Sequence, residues 1–219
     1  MHVIRLHFSK TGDAKYISHL DLVRCFTRAI KRSGTDVWYT QGFNSRMYLL
    51  FALPLALGLE SLSETVDIKS EAMLNGPFLI ERINPCLPEG INVYNCTIPK
   101  YNHNEIASAR YLLNISDSPE YLGMFETSYS CILSAMEILV EKTGKKGASK
   151  VDIRSQIIDS NLFKSDGNIV VHLHAAAGST KNLNPVLLFE KIVTRLERRP
   201  SHYSLTRTGI LTRGGEYFE

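Results

Sequence analysis

A histidine and an aspartate stand two residues apart in the stretch SHLD, where a basic helix is predicted to begin. His19 follows a serine suited to the helix N-cap, and Asp21 at the third helical position completes a capping box. A histidine there is expected to be neutral, because the helix dipole disfavours a positive charge. A neutral imidazole can act as an acid, a base or a hydrogen-bond partner. With Lys10 and Lys15 nearby in sequence, the stretch predicts either an ordinary helix cap or one wall of an anion site.

A second candidate is the loop GFNSRMY, which precedes a strongly apolar stretch of the chain. Gly42 and Asn44 are residue types that accept positive φ, so they predict a turn. In one interpretation Arg46 is a solvated turn residue. In the other it contacts a phosphate, while Phe43 or Tyr48 stacks on a base.

Two histidines, His172 and His174, are the residues that most resemble metal ligands. Residues two apart on a strand share a face, and the apolar residues between them fall on the opposite face. A zinc site needs at least a third ligand, which the sequence does not nominate. The sequence also lacks a phosphate-binding loop, a dinucleotide fingerprint, a nucleophile elbow and a zinc-protease motif. We therefore expect no metal and no cofactor.

Basic residues recur along the predicted helix and in two later runs, KKGASKVDIR and RLERRPSHYSLTRTG. Such runs predict solvated faces or, if they converge, a basic stripe that binds RNA. The residues predicted to contact RNA or another anion are Lys10, Lys15, His19, Arg24, Arg28, Arg46, Lys150, Arg154 and Arg207. Lys145 and Lys146 belong to the first of the two runs.

Composition narrows the classes of protein. The chain has 219 residues, of which 44% are hydrophobic and 21% charged, with a net charge of +3. These values favour a packed core over disorder, and they permit an anionic partner without demanding one. The four cysteines have neither zinc-ribbon nor iron–sulfur spacing, which favours reduced thiols in the cytoplasm. The longest apolar run is too short to span a bilayer, so we expect a soluble cytoplasmic protein with no membrane partner.

The elements that must position these residues follow from periodicity. In the first half, a strand over Val3–Phe8 precedes the helix that Ser18 begins and Gly34 ends. Strands are then predicted at 36–43, 46–55 and 64–72, a short helix at 76–87 and a strand at 91–98.

The polar stretch at 99–108 is predicted to separate two domains, 1–100 and 101–219. In the second half, strands are predicted at 109–116, 150–158, 167–176 and 202–211, and helices at 125–140 and 184–196. The order of elements predicts an α+β fold of two tandem ferredoxin-like (β-α-β-β-α-β) domains with antiparallel sheets.

Several stretches resemble the radical-SAM-linked family, a bacterial domain of unknown function found beside or fused to radical SAM proteins. They are FSKTGDAKYISHLDLVRCFTRAIKRSG, QGFN followed by FALPLALG, KVDIR, and SLTRTGIL, and they span nearly the whole chain in the family's order. The family commonly continues its second motif as Asn-Pro-His-Pro-Arg. Here Asn44 is followed by serine, arginine and methionine, so a role built on that histidine has no counterpart.

The resemblance implies an association with radical SAM enzymes that modify ribosomal or transfer RNA. The chain lacks the three-cysteine motif of the catalyst itself. The leading hypothesis is therefore a non-catalytic accessory protein that binds RNA for a radical SAM partner.

One alternative is a metal-independent endoribonuclease resembling CRISPR repeat-processing enzymes, with His19 as acid or base and Lys10 or Lys15 stabilising the phosphate. Another is an adaptor that binds only the radical SAM protein.

Overall fold

The computed structural model describes residues 1–144, 147–165 and 167–219. Within these residues the chain is a mixed α+β protein with four α-helices and mostly antiparallel strands. In this part of the chain, none of the helices combines the length and apolarity that crossing a bilayer would need.

The chain forms two compact units. The first unit consists of Met1–Ile106 with Arg207–Glu219, and the second of Ala107–Thr206. The last residues of the chain therefore pack with its first hundred. The division between residues 100 and 101 stays a prediction about which segments fold independently.

The first unit consists of a strand, a helix, two strands, a helix and a strand, so it has one strand fewer between its helices than the three predicted at 36–43, 46–55 and 64–72. Its elements are β1 (His2–Lys10), α1 (His19–Arg32), β2 (Leu49–Phe51), β3 (Glu60–Ser70), α2 (Gly76–Ile83) and β4 (Ile91–Thr97). β1 pairs antiparallel with both β3 and β4, and β2 pairs antiparallel with β3. A 3-10 turn, Gly12–Tyr16, links β1 to α1.

The two faces of this sheet have different chemistry because side chains alternate along a strand. Leu6 and Val66 are register partners on β1 and β3, and both are fully buried in the core formed with the helices. Arg5 and Asp67 are the next register pair, so they lie on the opposite face of the sheet.

α1 forms where the sequence predicts it. Ser18 is its N-cap, and its buried residues include Leu22, Phe26 and Ile30, which recur at helical spacing. The helix ends at Arg32 because Gly34 adopts φ +66°, a backbone conformation that favours glycine.

The second unit contains more strands than predicted. Its elements are β5 (Ile106–Ser116), α3 (Pro119–Ser134), β6 (Leu139–Gly144), β7 (Gly147–Asp152), β8 (Ile157–Ser165), β9 (Asn168–Ala176), α4 (Pro185–Leu196) and β10 (His202–Thr212). β9 pairs antiparallel with β5 and β8, whereas β6 and β7 form a separate two-stranded sheet. β10 contributes residues to both units, since they divide between Thr206 and Arg207.

The helix predicted at 125–140 is wrong in its bounds. α3 begins six residues earlier, because Ser118 Oγ accepts a hydrogen bond from Tyr121 N at 3.3 Å and Pro119 occupies the first helical position. It ends at Ser134. The apolar residues Leu139 and Val140, which extended the predicted helix, belong to β6.

The strands predicted at 36–43 and 150–158 are also wrong. In the first segment only Tyr39 forms a β-bridge, because the chain turns back where Thr40 N donates to Arg46 O at 2.8 Å. The second segment is split, since Asp152 Oδ1 accepts from Arg154 N at 2.9 Å and begins a 3-10 turn that separates β7 from β8.

Candidate functional site

The start of α1 is capped by the side chain of Ser18. Ser18 Oγ accepts a hydrogen bond from Asp21 N at 3.2 Å and donates one to Asp21 Oδ2 at 2.7 Å. Arg24 NH1 donates to Asp21 Oδ1 at 2.8 Å. The hydrogen bonds from Ser18 and then Arg24 lower the pKa of Asp21 below its ordinary value. The predicted N-cap at Ser18 is confirmed, but the predicted capping box is not formed, because the Asp21 carboxylate accepts from Ser18 Oγ and Arg24 and not from the backbone N–H of Ser18.

His19 is exposed beside this cap. Its ring meets the ring of Phe51 edge-on, with centroids 5.3 Å apart. Within the described residues, no hydrogen bond or ion pair holds the imidazole. Packing on Phe51 therefore positions His19, and both ring nitrogens are left for a ligand.

The two lysines predicted to stand near His19 have protein partners. Lys10 is buried, and its ammonium donates to Ile17 O at 2.8 Å and to Lys15 O at 3.3 Å. Burial lowers the pKa of Lys10 below its ordinary value. Lys15 Nζ lies 3.5 Å from Glu60 Oε1. Lys10 therefore fastens the loop that leads into α1 and does not present its charge at the surface.

The exposed side of α1 carries a concentration of positive charge. Residues 19–48 hold five of the 25 lysines and arginines and only two of the 22 acidic residues, so positive and negative charges are equal in number in the rest of the chain. Four of these five cations lie on α1 and are exposed: Arg24, Arg28, Lys31 and Arg32. We call these four residues the basic face of α1.

The loop before β2 carries the remaining cation of residues 19–48, Arg46. Gly42 adopts φ +122°, and the next residue, Phe43, is fully exposed at 110% relative accessibility. Arg46 is exposed, and its backbone N–H donates to Thr40 Oγ1 at 2.9 Å. We call residues 40–46 the tip loop.

Arg207, by contrast, is buried within the first unit. Its Nε donates to Glu64 Oε1 at 2.9 Å, and its NH2 donates to Leu53 O at 2.9 Å and also to Glu64 Oε1. A guanidinium held in this way supports the fold of the first unit.

The remaining predicted contacts lie in the second unit. Lys150 is exposed on β7, opposite Glu141 of β6, and Arg154 is half-buried in the turn after β7. Lys145 and Lys146 lie outside the described residues. Of the nine residues predicted to contact RNA, Arg24 and Arg28 lie on the basic face of α1, and His19 lies at the start of the same helix.

The two histidines of β9 have partners on their own face. His174 Nε2 lies 2.9 Å from Ser108 Oγ, and the ring of His172 meets that of Phe163 with centroids 5.2 Å apart. Burial and then Arg110 lower the pKa of His174. Across the residues that the structure describes, no three histidine, cysteine or acidic side chains cluster as metal ligands would.

A groove that the sequence analysis missed lies in the first unit, on the sheet face opposite α1 and α2. It encloses about 580 Å³. Its lining combines rings, cations and apolar side chains: Val3, Tyr48, Lys69, Ile98, Lys100, Tyr101 and His103, with the buried Arg5 and Asp67. The polar residues that alternate along β3 were the available signal, but alternation does not show which distant segments complete a groove.

A buried ion pair forms part of this groove. Arg5 Nε and NH2 donate to the two oxygens of Asp67 at 2.7 and 2.8 Å. The guanidinium also lies 4.1 Å from the ring centroid of Phe218. His103 Nε2 is 3.3 Å from Asp67 Oδ2 but too poorly aligned for a hydrogen bond. Burial lowers the pKa of His103, and Asp67 opposes this shift.

Together, the fold and the site define an α+β protein with a basic helix face and a separate groove. The chain matches the family described as "Uncharacterized protein conserved in bacteria (DUF2344)" over residues 3–185, and it belongs to that family. No curated protein matches it. A crystal structure titled "Crystal Structure of an Unknown Protein from Galdieria sulphuraria" is 12% identical, and the match covers 94% of this chain and 98% of that one at a TM-score of 0.27.

Proposed function

We propose that this protein binds RNA through the basic face of α1 and the tip loop, as a non-catalytic accessory protein. The observation that carries the proposal is the concentration of the chain's whole net charge in residues 19–48. Arginines and lysines on one face attract phosphates without reading sequence. The fully exposed ring of Phe43, three residues from Arg46, is suited to stacking on an unpaired base.

The proposal extends to the fold: the chain would consist of two tandem ferredoxin-like domains. In the first unit, the pairing of β4 with β1, β1 with β3 and β3 with β2, together with two helices, supports it. In the second unit, the pairing of β5 with β9 and β9 with β8 supports it, with β6 and β7 as an inserted hairpin. Sheets of this type are platforms on which RNA-binding domains stack bases.

The surroundings of His19 favour binding over cleavage. A histidine that transfers protons in catalysis is generally oriented by a hydrogen bond to its second nitrogen. Among the described residues, the His19 ring packs on Phe51 and no hydrogen bond orients its imidazole, and the ammonium of Lys10 is occupied by two carbonyls. We therefore assign His19 a contact role and keep the metal-independent ribonuclease as the alternative.

The partnership with a radical SAM enzyme is also part of the proposal, as is a cytoplasmic location. Its support is the resemblance of four sequence stretches to the radical-SAM-linked family. The RNA would be ribosomal or transfer RNA, as that resemblance implies. Crosslinking and pulldown from the native host test both partners at once. Recovery of a radical SAM protein without RNA would favour the adaptor alternative.

The salt dependence of RNA binding tests the RNA-contacting surface directly. Replacing Arg24 and Arg28 with glutamine removes two charges four residues apart on α1. For each phosphate that the variant no longer neutralises, the slope of log K against log salt should become shallower by about 0.7 for single-stranded RNA. Lys191 and Arg195 provide a matched control, since both are exposed on α4 at the same spacing.

The expected result is a shallower slope and weaker binding for Arg24→Gln with Arg28→Gln, and a wild-type slope for Lys191→Gln with Arg195→Gln. Equal losses in the two double variants would mean that the protein binds RNA only through its overall charge. Absence of salt-dependent binding by the wild-type protein would refute the proposal. Metal-free cleavage of the RNA that is lost in His19→Ala would establish the ribonuclease instead.

A further inference from the structure

The groove of the first unit combines features that suit a nucleotide. Tyr48 and Tyr101 supply rings, and Lys69 and Lys100 supply positive charge. Its volume of about 580 Å³ lies in the range of small-molecule sites, about 300–1,000 Å³. Ile98, which is 73% exposed, adds an apolar surface at the same place.

The acidic groups of the groove are already engaged. Both oxygens of Asp67 accept hydrogen bonds from Arg5. The carboxylate of Glu105 accepts from Asn102 N at 2.7 Å, within a capping box. The Tyr101 hydroxyl donates to Glu216, which also lies near Lys100. None of these carboxylates pairs with Lys69, so among the cations of the groove Lys69 has the least neutralised charge.

Lys69 lies over aromatic rings in place of a carboxylate. Its Nζ is 4.1 Å from the ring centroid of Tyr48 and 5.6 Å from that of Trp38. Among the described residues it forms no ion pair. A base that stacks on Tyr48 would displace this ammonium, and the flexible lysine stem lets it follow the phosphate of the same nucleotide.

One segment of chain connects the groove to the basic face of α1. At its start, the ring of Tyr39 lies under Lys31 of α1, with Nζ 5.8 Å from the centroid. At its end, Tyr48 lies under Lys69 in the groove. The exposed Phe43 and Arg46 lie between these two aromatic–cation pairs. The segment thus passes from the helix side of the sheet to its opposite face.

We infer that the groove holds one nucleotide of a single-stranded RNA, with its base on Tyr48 and its phosphate at Lys69. The inference rests on the proposed RNA binding and adds a base-binding site to it. It differs from the phosphate contacts of α1 because it requires a base. RNA that follows residues 39–48 would reach both surfaces.

The test compares two RNAs that differ only in their bases. One is a ten-residue oligouridylate, and the other is an abasic oligomer with the same number of phosphates. Stacking of one base contributes about 1–3 kcal/mol, so wild-type protein should bind the oligouridylate about 5- to 150-fold more tightly. Trp38 is the only tryptophan in the chain, and its contact with Lys69 makes its fluorescence a reporter of the groove.

Tyr48→Leu should lower the preference for the oligouridylate to the part that Phe43 contributes and leave abasic binding unchanged, whereas Tyr48→Phe should retain the full preference. Lys69→Gln should weaken the binding of both RNAs and abolish the change in Trp38 fluorescence on binding. Phe78→Leu is a matched control, because Phe78 is an exposed ring on α2 with Arg82 Cζ 5.2 Å from its centroid, outside the groove. It should bind both RNAs like wild type.

Three results would overturn the inference. Oligouridylate binding that is unchanged in Tyr48→Leu would exclude the groove while leaving RNA binding by α1 intact. Equal weakening of both RNAs in Tyr48→Leu would mean that Tyr48 supports the fold and not a base. Failure of wild-type protein to bind either RNA would refute the proposed function together with the groove.

Discussion

Arg5 and Asp67 form a fork-shaped ion pair that is almost completely removed from solvent. Their side chains are 0% and 4% exposed, and two parallel hydrogen bonds join them. Arg5 NH1 and NH2 also donate to the carbonyls of Glu219 and Tyr101, at 2.8 and 3.1 Å. One guanidinium thus ties β1 to β3 and to two segments that lie across the same face of the sheet.

Removing one partner of this pair should be costly. Arg5→Met leaves the carboxylate of Asp67 buried without its cation, and such changes cost about 3–5 kcal/mol of unfolding free energy. Asp67→Leu in the Arg5→Met background should recover part of the loss, because the uncompensated charge is gone. It cannot recover all of it, since the carbonyls of Tyr101 and Glu219 still lack their donor.

Urea unfolding of Arg5→Met and of the double variant measures this difference. Lys15→Met serves as a control in the same unit, since the Lys15–Glu60 pair is partly exposed and should contribute about 1 kcal/mol or less. A loss for Arg5→Met no larger than that for Lys15→Met would show that the buried pair does not stabilise the sheet.

The stability of the protein should fall in mild acid, partly because of His7. Burial, and then Arg5, lower the pKa of His7 from its ordinary value of 6.5, while Glu219 and Asp67 oppose the shift. Between the folded and unfolded pKa values, the unfolded chain binds more protons. The unfolding free energy therefore decreases as the pH falls below about 6.5.

His7→Gln should make this pH dependence shallower, because glutamine stays neutral and still offers a polar group to Thr97 Oγ1, which lies 2.8 Å from His7 Nε2. Some dependence should remain, since burial also lowers the pKa values of His103 and His174. Urea unfolding between about pH 7 and pH 5 measures it. An unaltered pH dependence in His7→Gln would assign the effect to other groups.

Gly90 holds the loop before α1 through a close backbone approach. Thr11 N donates to Gly90 O at 2.8 Å, and a Cβ on Gly90 would lie 2.3 Å from Thr11 O. Gly215 has the same φ of +82° but nothing within 4 Å of its would-be Cβ. Gly215→Ala should therefore cost only the strain of positive φ, about 1–2 kcal/mol.

Gly90→Ala adds steric overlap to the same strain and should cost about 3 kcal/mol or more. Thermal unfolding of the two variants compares them under identical backbone strain. Similar melting temperatures would indicate that the loop shifts to admit the methyl group. In that case Gly90 would not fix the position of the residues before α1.

Most elements of the first unit could be predicted because their signals are local, although the strand predicted at 36–43 was wrong. Each signal lies within one element: the serine cap and the helical spacing of Phe26 and Ile30 in α1, and the alternation of Val66 and Ile68 with polar residues in β3. α3 shows the limit of this reasoning. Its apolar spacing extends to Leu139 and Val140 and therefore predicts helix there. The helix ends at Ser134, and both residues belong to the first strand of a hairpin.

The candidate site was harder to predict because its charged residues have distant partners. Charged residues are mostly exposed, which is why the sequence predicts Lys10 and Arg207 at an RNA-binding surface. In the structure Arg207 pairs with Glu64, 143 positions away in sequence. The groove likewise depends on strand register, which places Lys69 beside residues from three other segments. Neither arrangement can be read from periodicity.

The last prediction separates the two tasks at the start of α1. Ser18 and Asp21 complete the cap between themselves, and His19 takes no part in it. Ser18→Ala should lower the unfolding free energy by about 1 kcal/mol. His19→Ala removes an exposed ring that touches Phe51, so stability should change little while RNA affinity falls. Calorimetry measures the first effect, and titration with the oligouridylate the second.

His19→Asn is the informative companion variant, because it keeps a hydrogen-bonding group without the imidazole. His19→Asn should retain more RNA affinity than His19→Ala if His19 contacts a phosphate through a hydrogen bond. If His19→Ala instead lowers stability as much as Ser18→Ala and leaves RNA affinity unchanged, the histidine serves the fold through Phe51. The basic face of α1 would then bind RNA without it, since Arg24 and Arg28 lie five and nine residues further along the helix, on the side turned away from His19.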